Sequence, residues 1–231
     1  MKTLFKMVIW DLKIQARNQI ITVALIIAAV YTAIFFLLGL RGNDKILIAL
    51  IFSDPTFMGF IFTGVLVLFE KSSNTLQALV VTPVKSWQYF YSKAISLTII
   101  SLIVCFAMIF ASHGFRFNYF YFLSATFLSS LLFIFLGFIG VAKIKTFNQY
   151  IIVIPLFIAP FSLPYLNFFG LTNSPWLYLF PTQASFFLFE GSFCKITSFE
   201  IIYSFGYIIL AIGVTHYFAN RLFKKYIIRG E

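Results

Sequence analysis

Acid–base, metal and nucleophilic chemistry all need side chains that this chain scarcely supplies. Its 231 residues hold seven carboxylates, two histidines and two cysteines. No His-Glu-x-x-His, paired-cysteine spacing or Gly-x-x-x-x-Gly-Lys-[Ser/Thr] phosphate loop occurs, so the chain has no ATPase motif of that kind and no metal motif. Asp54, Glu200 and His216 are the groups to weigh for proton or sodium coupling, and all lie near the ends of apolar runs. His113 stands in a turn without metal-ligand spacing around it. Cys105 falls inside an apolar run and Cys194 in a connection, a difference in depth that argues against a disulfide. An intramembrane enzyme would need catalytic polar groups at depth, and apart from hydroxyls the apolar runs have almost none.

Polar residues concentrate instead in one connection, Glu70 to Lys93, EKSSNTLQALVVTPVKSWQYFYSK. Ser72-Ser73-Asn74 is a candidate helix N-cap. Thr75 to Val81 reads as a short helix, and Pro83 stops it, because proline cannot donate a backbone hydrogen bond and disfavours helix in the residue before it. Lys85, Trp87, Tyr89, Tyr91 and Lys93 form the aromatic and cationic mix of a membrane–water boundary. Leu76, Leu79 and Val80 on such a helix need a cover, which is either lipid headgroups or a protein partner.

The elements that must position this connection follow from composition. The chain is 61% apolar and only 10% charged, against about 45–50% and about 25% in ordinary globular domains. A soluble chain of this size could not hide that much apolar surface, so this is an all-α, multi-pass membrane protein. Six spans are expected, near residues 20–40, 46–69, 94–112, 119–141, 149–169 and 199–219, in a single transmembrane domain covering 1–231. Residues 1–19 precede a first run of full spanning length, which should stay as an anchor rather than be removed. They are amphipathic: at about 100° per residue Lys2, Lys6, Lys13 and Arg17 share an arc of about 60°, with an apolar arc beside it, as in a helix lying in the interface.

Within the second span, Asp54-Pro55 is expected to mark a break where the acid reaches water near the outer side, or else a polar group on a route through the bundle. Gly59, Thr63 and Gly64 permit close helix approach, as do Ser129, Ser130, Gly137 and Gly140 of the fourth span. Pro155, Pro160 and Pro164 require the fifth span to kink or break, and broken backbone must face protein or water rather than lipid. Thr63, Ser129, Ser130, Pro155 and Pro160 are accordingly the candidates for a substrate path. Residues 170–198 are too apolar for free solvent yet too rich in proline for one span. They read as helical pieces re-entering from the outer side.

Thirteen of the 17 Lys and Arg fall on one side of this six-span arrangement, leaving Arg41, Lys45, Arg116 and Lys195 on the other. The positive-inside bias then makes both termini and the Glu70 connection cytoplasmic. The same bias, with attraction to anionic lipid, explains the net charge of +10 without nucleic acid.

Glu70, Thr75-Leu76-x-x-Leu79-x-Val81-Thr82-Pro83-Val84, Tyr89 and Lys93, in this topological slot, resemble the loop between the second and third spans of ABC-2 type permeases, and the small six-span form is similar to those for fluoroquinolone-type drug export. The resemblance implies an N-terminal elbow helix, a cytoplasmic coupling helix and a re-entrant outer segment before the last span. It implies coupling to a separate ABC ATP-binding subunit through Glu70, Thr75, Leu76, Leu79, Thr82 and Pro83, with Lys143 and Lys145 of the short inner connection as a second contact. No cofactor is expected on this chain, since ATP and Mg²⁺ belong to the partner. A second permease subunit, identical or not, and a prokaryotic cell membrane complete the expectation. The competing readings are an ion-coupled secondary transporter, which an uncoupler of the proton-motive force would stop, and a non-transporting anchor, which gives no flux.

Overall fold

In a computed structural model the described residues, which are 2–40, 43–73, 75 and 85–228, form helices joined by turns, with no strand among them. Helix α1 (Lys2–Arg17) leads through a left-handed turn at Gln19 into α2 (Ile20–Leu37). A continuous helical run follows: α3 (Asp44–Thr56), a π-helical segment (Phe57–Phe62) and α4 (Thr63–Ser72). After the Glu70 connection come α5 (Ser86–Ser112) and α6 (Tyr119–Val141). Helix α7 (Phe147–Ser162) and the single turn α8 (Tyr165–Phe168) precede a 3₁₀ turn (Pro175–Leu179). Helices α9 (Pro181–Glu190) and α10 (Ser198–Leu222), with a π-helical end (Phe223–Ile228), close the chain.

Four of these are long and apolar enough to cross a membrane: Ile20–Leu37, Trp87–Ser112, Tyr119–Val141 and Ser198–Tyr226. The expected second span is a continuous helical run that the π segment divides without interrupting it, and the fifth is the shorter apolar helix α7. The division begins where Pro55 cannot donate to the carbonyl of Ile51. The Cys105 thiol of α5 donates to that carbonyl at 3.8 Å. Freed backbone groups in an apolar bundle need such side-chain partners, and two further carbonyls of this run also take a side-chain donor. Tyr165 donates to Ala49 O at 3.1 Å, and Tyr150 to Phe60 O at 2.7 Å. The side chain of Asp54 lies outside the described ones.

Helix α6 is the centre of the bundle, packed against α5, α10, α9 and the π segment. Its closest neighbour is the π segment. A Cβ on Gly59 would stand 2.8 Å from Cβ of Phe133, and one on Gly137 would stand 2.7 Å from Phe60 O. Small residues here let two backbones approach, as expected for helix contacts in lipid. Helix α9 is buried along nearly its whole length among α6, α10 and α3, so the connection before the last span does fold into helical pieces. The expected break of the fifth span falls at Leu163-Pro164, between α7 and α8. Helix α7 contains Pro155 and Pro160 without losing its helix, and it leaves Ile152 and Leu156 more than 70% exposed. Only Tyr150 of α7 is buried, the half-buried rings of Phe157 and Phe161 meet Phe60 and Phe133, and both prolines lie on the open side.

Candidate functional site

The described flanks of the Glu70 connection meet in a buried ion cluster. Lys93 Nζ lies 2.6 Å from Glu70 Oε1 and 3.0 Å from Asp11 Oδ1. Tyr89 donates its hydroxyl to Glu70 Oε2, and its ring lies 4.8 Å from Lys93 Nζ. Ser92 donates to Asp11 Oδ2 at 2.5 Å, and Gln15 Nε2 donates to Ser96 Oγ at 2.8 Å. Lys93 is 1% exposed, Glu70 7% and Asp11 8%. Charges so buried persist only when paired and hydrogen-bonded, and each here has at least two partners. Three elements are joined: α1 by Asp11, the end of α4 by Glu70 and the first turns of α5 by Tyr89, Ser92 and Lys93.

Local sequence explains the placement. In α5, Tyr89, Ser92, Lys93 and Ser96 recur at three- and four-residue spacing and so share one face. Trp87 and Tyr91, on the other faces, stay exposed. Lys93 was expected among the boundary cations, but its ammonium is buried because two carboxylates wait there. Asp11 was not singled out from the sequence. The signal existed: at about 100° per residue Asp11 and Gln15 fall on the arc opposite Lys6, Lys13 and Arg17, on either side of Leu4. A carboxylate on an otherwise apolar face asks for a cation.

Beside the cluster, Lys71 reaches the end of α6. Its Nζ donates to the carbonyls of Val141, Ala142 and Ile144 at 3.3, 3.2 and 2.9 Å. Val141 and Ala142 close the helix, at the negative pole of its dipole, and Ile144 follows in the connection. Burial pushes the Lys71 ammonium below its ordinary pKa. Lys143 and Lys145, in the connection that Lys71 holds, are exposed. Lys143 Nζ stands 5.3 Å from the Tyr226 ring. Ser73 and Thr75 share a hydroxyl hydrogen bond of 2.8 Å and are exposed. Leu76, Leu79, Thr82 and Pro83 lie outside the described residues.

The candidates for a path are not gathered in one place. Thr63 is buried at the crossing with α6 and donates to Gly59 O at 2.5 Å. Ser130 donates to Ser101 of α5 at 3.0 Å, and Ser129 is buried beside it. Pro155 and Pro160 are exposed. His216 Nε2 is 2.9 Å from the Tyr91 hydroxyl, and His113 Nδ1 is 3.5 Å from Asp44 Oδ1. Among the described residues, no group of three His, Cys, Asp or Glu could hold a metal.

Four apolar helices of spanning length, with a buried cluster of Asp11, Glu70 and Lys93 at the ends of α4 and α5, define a multi-pass helical membrane protein. The chain belongs to the Fluoroquinolones export permease protein family, whose description matches residues 2–231. It is similar to two proteins of Mycobacterium tuberculosis, from strains CDC 1551 / Oshkosh and ATCC 25618 / H37Rv, each named a fluoroquinolones export permease protein. Identity to each is 27% over 226 residues, spanning 95% of this chain and 94% of the relative. Its family is thus one of transport proteins, named for export rather than catalysis.

Proposed function

We propose that this chain is the transmembrane subunit of an ABC-2 type exporter, driven by a separate ATP-binding subunit. In this reading α3–α4 and α7–α8 complete six spans, α1 is the elbow helix, and both termini face the cytoplasm. The 75–81 segment docks on the ATPase, which holds ATP and Mg²⁺, while Lys143 and Lys145 give a second contact. The exposed side of α7 packs against a second permease subunit. The cargo is an amphipathic or apolar small molecule, and the relatives' names make a fluoroquinolone the first compound to try.

The observation that carries the reading is the Glu70–Lys93 pair, at 2.6 Å and buried. Force from a water-soluble motor reaches a bilayer only through a rigid attachment. This pair closes the base of the loop, and Asp11 fastens it to α1. The same three ionisable groups also favour a second reading, an ion-coupled carrier, because such carriers use buried carboxylates. Position argues against that reading. Lys93 lies seven residues into α5, about 10 Å from its start, so the cluster sits at the ends of helices and spans none of the crossing.

The energy source separates the two. In inverted vesicles containing the chain and its ATP-binding subunit, fluoroquinolone uptake should need ATP and persist after a protonophore is added. Uptake that stops with the protonophore and ignores ATP would establish the carrier.

A further inference from the structure

Among the described residues, six buried side-chain oxygens have no hydrogen-bond partner. One is Gln15 Oε1, beside the ion cluster. The other five are Thr126 Oγ1 and Ser129 Oγ of α6, Thr182 Oγ1 and Gln183 Oε1 of α9, and Ser204 Oγ of α10. These three helices pack on one another. Elsewhere, buried hydroxyls donate to a carbonyl one turn back: Thr63 to Gly59 at 2.5 Å, Thr98 to Ala94 at 2.7 Å and Ser130 to Thr126 at 2.7 Å. The five at this junction do not.

Their depth agrees. Asn118 N donates to Ser192 O at 2.8 Å, which ties the start of α6 to the residues just after α9. Along α6, Ser129 lies about 16 Å from that tie, and Gln183 lies about 14 Å from it along α9. Ring contacts set the facing sides. Phe122, one turn before Thr126, meets Phe189, while Phe133 and Phe186 both meet Phe52. On the third side Phe187, one turn after Gln183, meets Tyr203. Tyr203 and Tyr207 donate to the carbonyls of Tyr178 and Leu179, just before α9. Ser204 lies between those two tyrosines.

An unpaired buried oxygen costs about 1–3 kcal/mol; six among the described residues is an ordinary number for a native protein, and what marks these five is their gathering on three helices that pack together. Five at one junction signal a missing partner. Helix α9 adds one donor to the demand: Phe180 at its N-cap offers no side-chain acceptor, Pro181 has no N–H and Gln183 N donates to Phe180 O at 3.0 Å, which leaves Thr182 N. The partner must accept from hydroxyls and also donate to an amide oxygen. Water does both, and a buried water makes about 2–4 such bonds. We infer that the junction of α6, α9 and α10 is an internal hydration site, where a small cluster of ordered water joins the start of α9 to its two neighbours. This site is independent of the loop at Glu70 and of the energy source.

The sign of a stability change tests it. The full chain is purified with Ser129→Ala, Thr182→Val and Ser204→Ala made singly, with Thr98→Val as the comparison, since that hydroxyl bonds only its own helix. If water is bound, each junction variant lowers the apparent Tm by about 2–4 °C and by more than Thr98→Val. Ser129→Ala with Thr182→Val then costs less than the sum of the two, because they share water. Tm values that stay level or rise mean dry oxygens better removed, and overturn the inference. In the unaltered protein, NMR magnetisation should pass from water to the methyl groups of Thr126 and Thr182 and not to that of Thr98. Absence of that transfer would also overturn it.

Discussion

Tyr150 occupies the space that any side chain at Gly64 would need. A Cβ there would stand 1.9 Å from Cζ of the ring, while the Tyr150 hydroxyl donates to Phe60 O at 2.7 Å and the ring stacks on Phe60. One ring thus fastens α7 to the π-helical turn of the preceding run and satisfies a carbonyl of that turn. π-helical turns recur at functional sites, and this one lies along the helix that ends at Glu70.

Gly64→Ala should therefore expel the ring and destabilise the chain by about 1–3 kcal/mol, the usual cost of overpacking. Tyr150→Phe should lose the hydrogen bond to Phe60 O, a cost of about 0.5–1.5 kcal/mol. Thermal unfolding in detergent checks both. Gly64→Ala combined with Tyr150→Ala should be less damaging than the sum of the two, since the clash is gone.

Lys93→Met should be among the most damaging single changes in the chain. It leaves Glu70 and Asp11 buried without their cation, and breaking a buried pair typically costs about 3–5 kcal/mol. Adding Glu70→Gln and Asp11→Asn to Lys93→Met should recover most of the folded yield, because neutral groups no longer need the ammonium. The yield of monodisperse protein on size exclusion reads both outcomes.

The open side of α7 makes a separate prediction. With Cys194 replaced by serine, Leu156→Cys should cross-link two permease subunits in the membrane under mild oxidation. Ile202→Cys on α10, as exposed as Leu156, should not. Equal cross-linking at both positions would mean random collision rather than an interface.

Composition and apolar runs made the helical membrane class legible, and the long spans 119–141 and 199–219 lie within α6 and α10 or match them closely. The divided second span was half-legible. Asp54-Pro55 announced a break, but a π-helical turn depends on Cys105, Tyr150 and Gly137, which lie far away in sequence. Glu70 and Lys93 stood out through the resemblance to the ABC-2 permease loop, but Lys93 looked like a headgroup cation because burial is not written in a residue type. Asp11 was hidden for a related reason. Among four cations on a short helix, one acid passes as a surface charge until its helical angle is compared with theirs.

The most direct measurement concerns the segment beyond Thr75. The chain is co-expressed with ABC ATP-binding subunits from the same genome, and ATP-dependent fluoroquinolone transport is measured with and without Leu76→Asp plus Leu79→Asp. The account predicts that one such subunit co-purifies with the unaltered chain, and that the double variant inserts normally but loses both the subunit and the transport. Undiminished ATP-dependent transport by the double variant would contradict it.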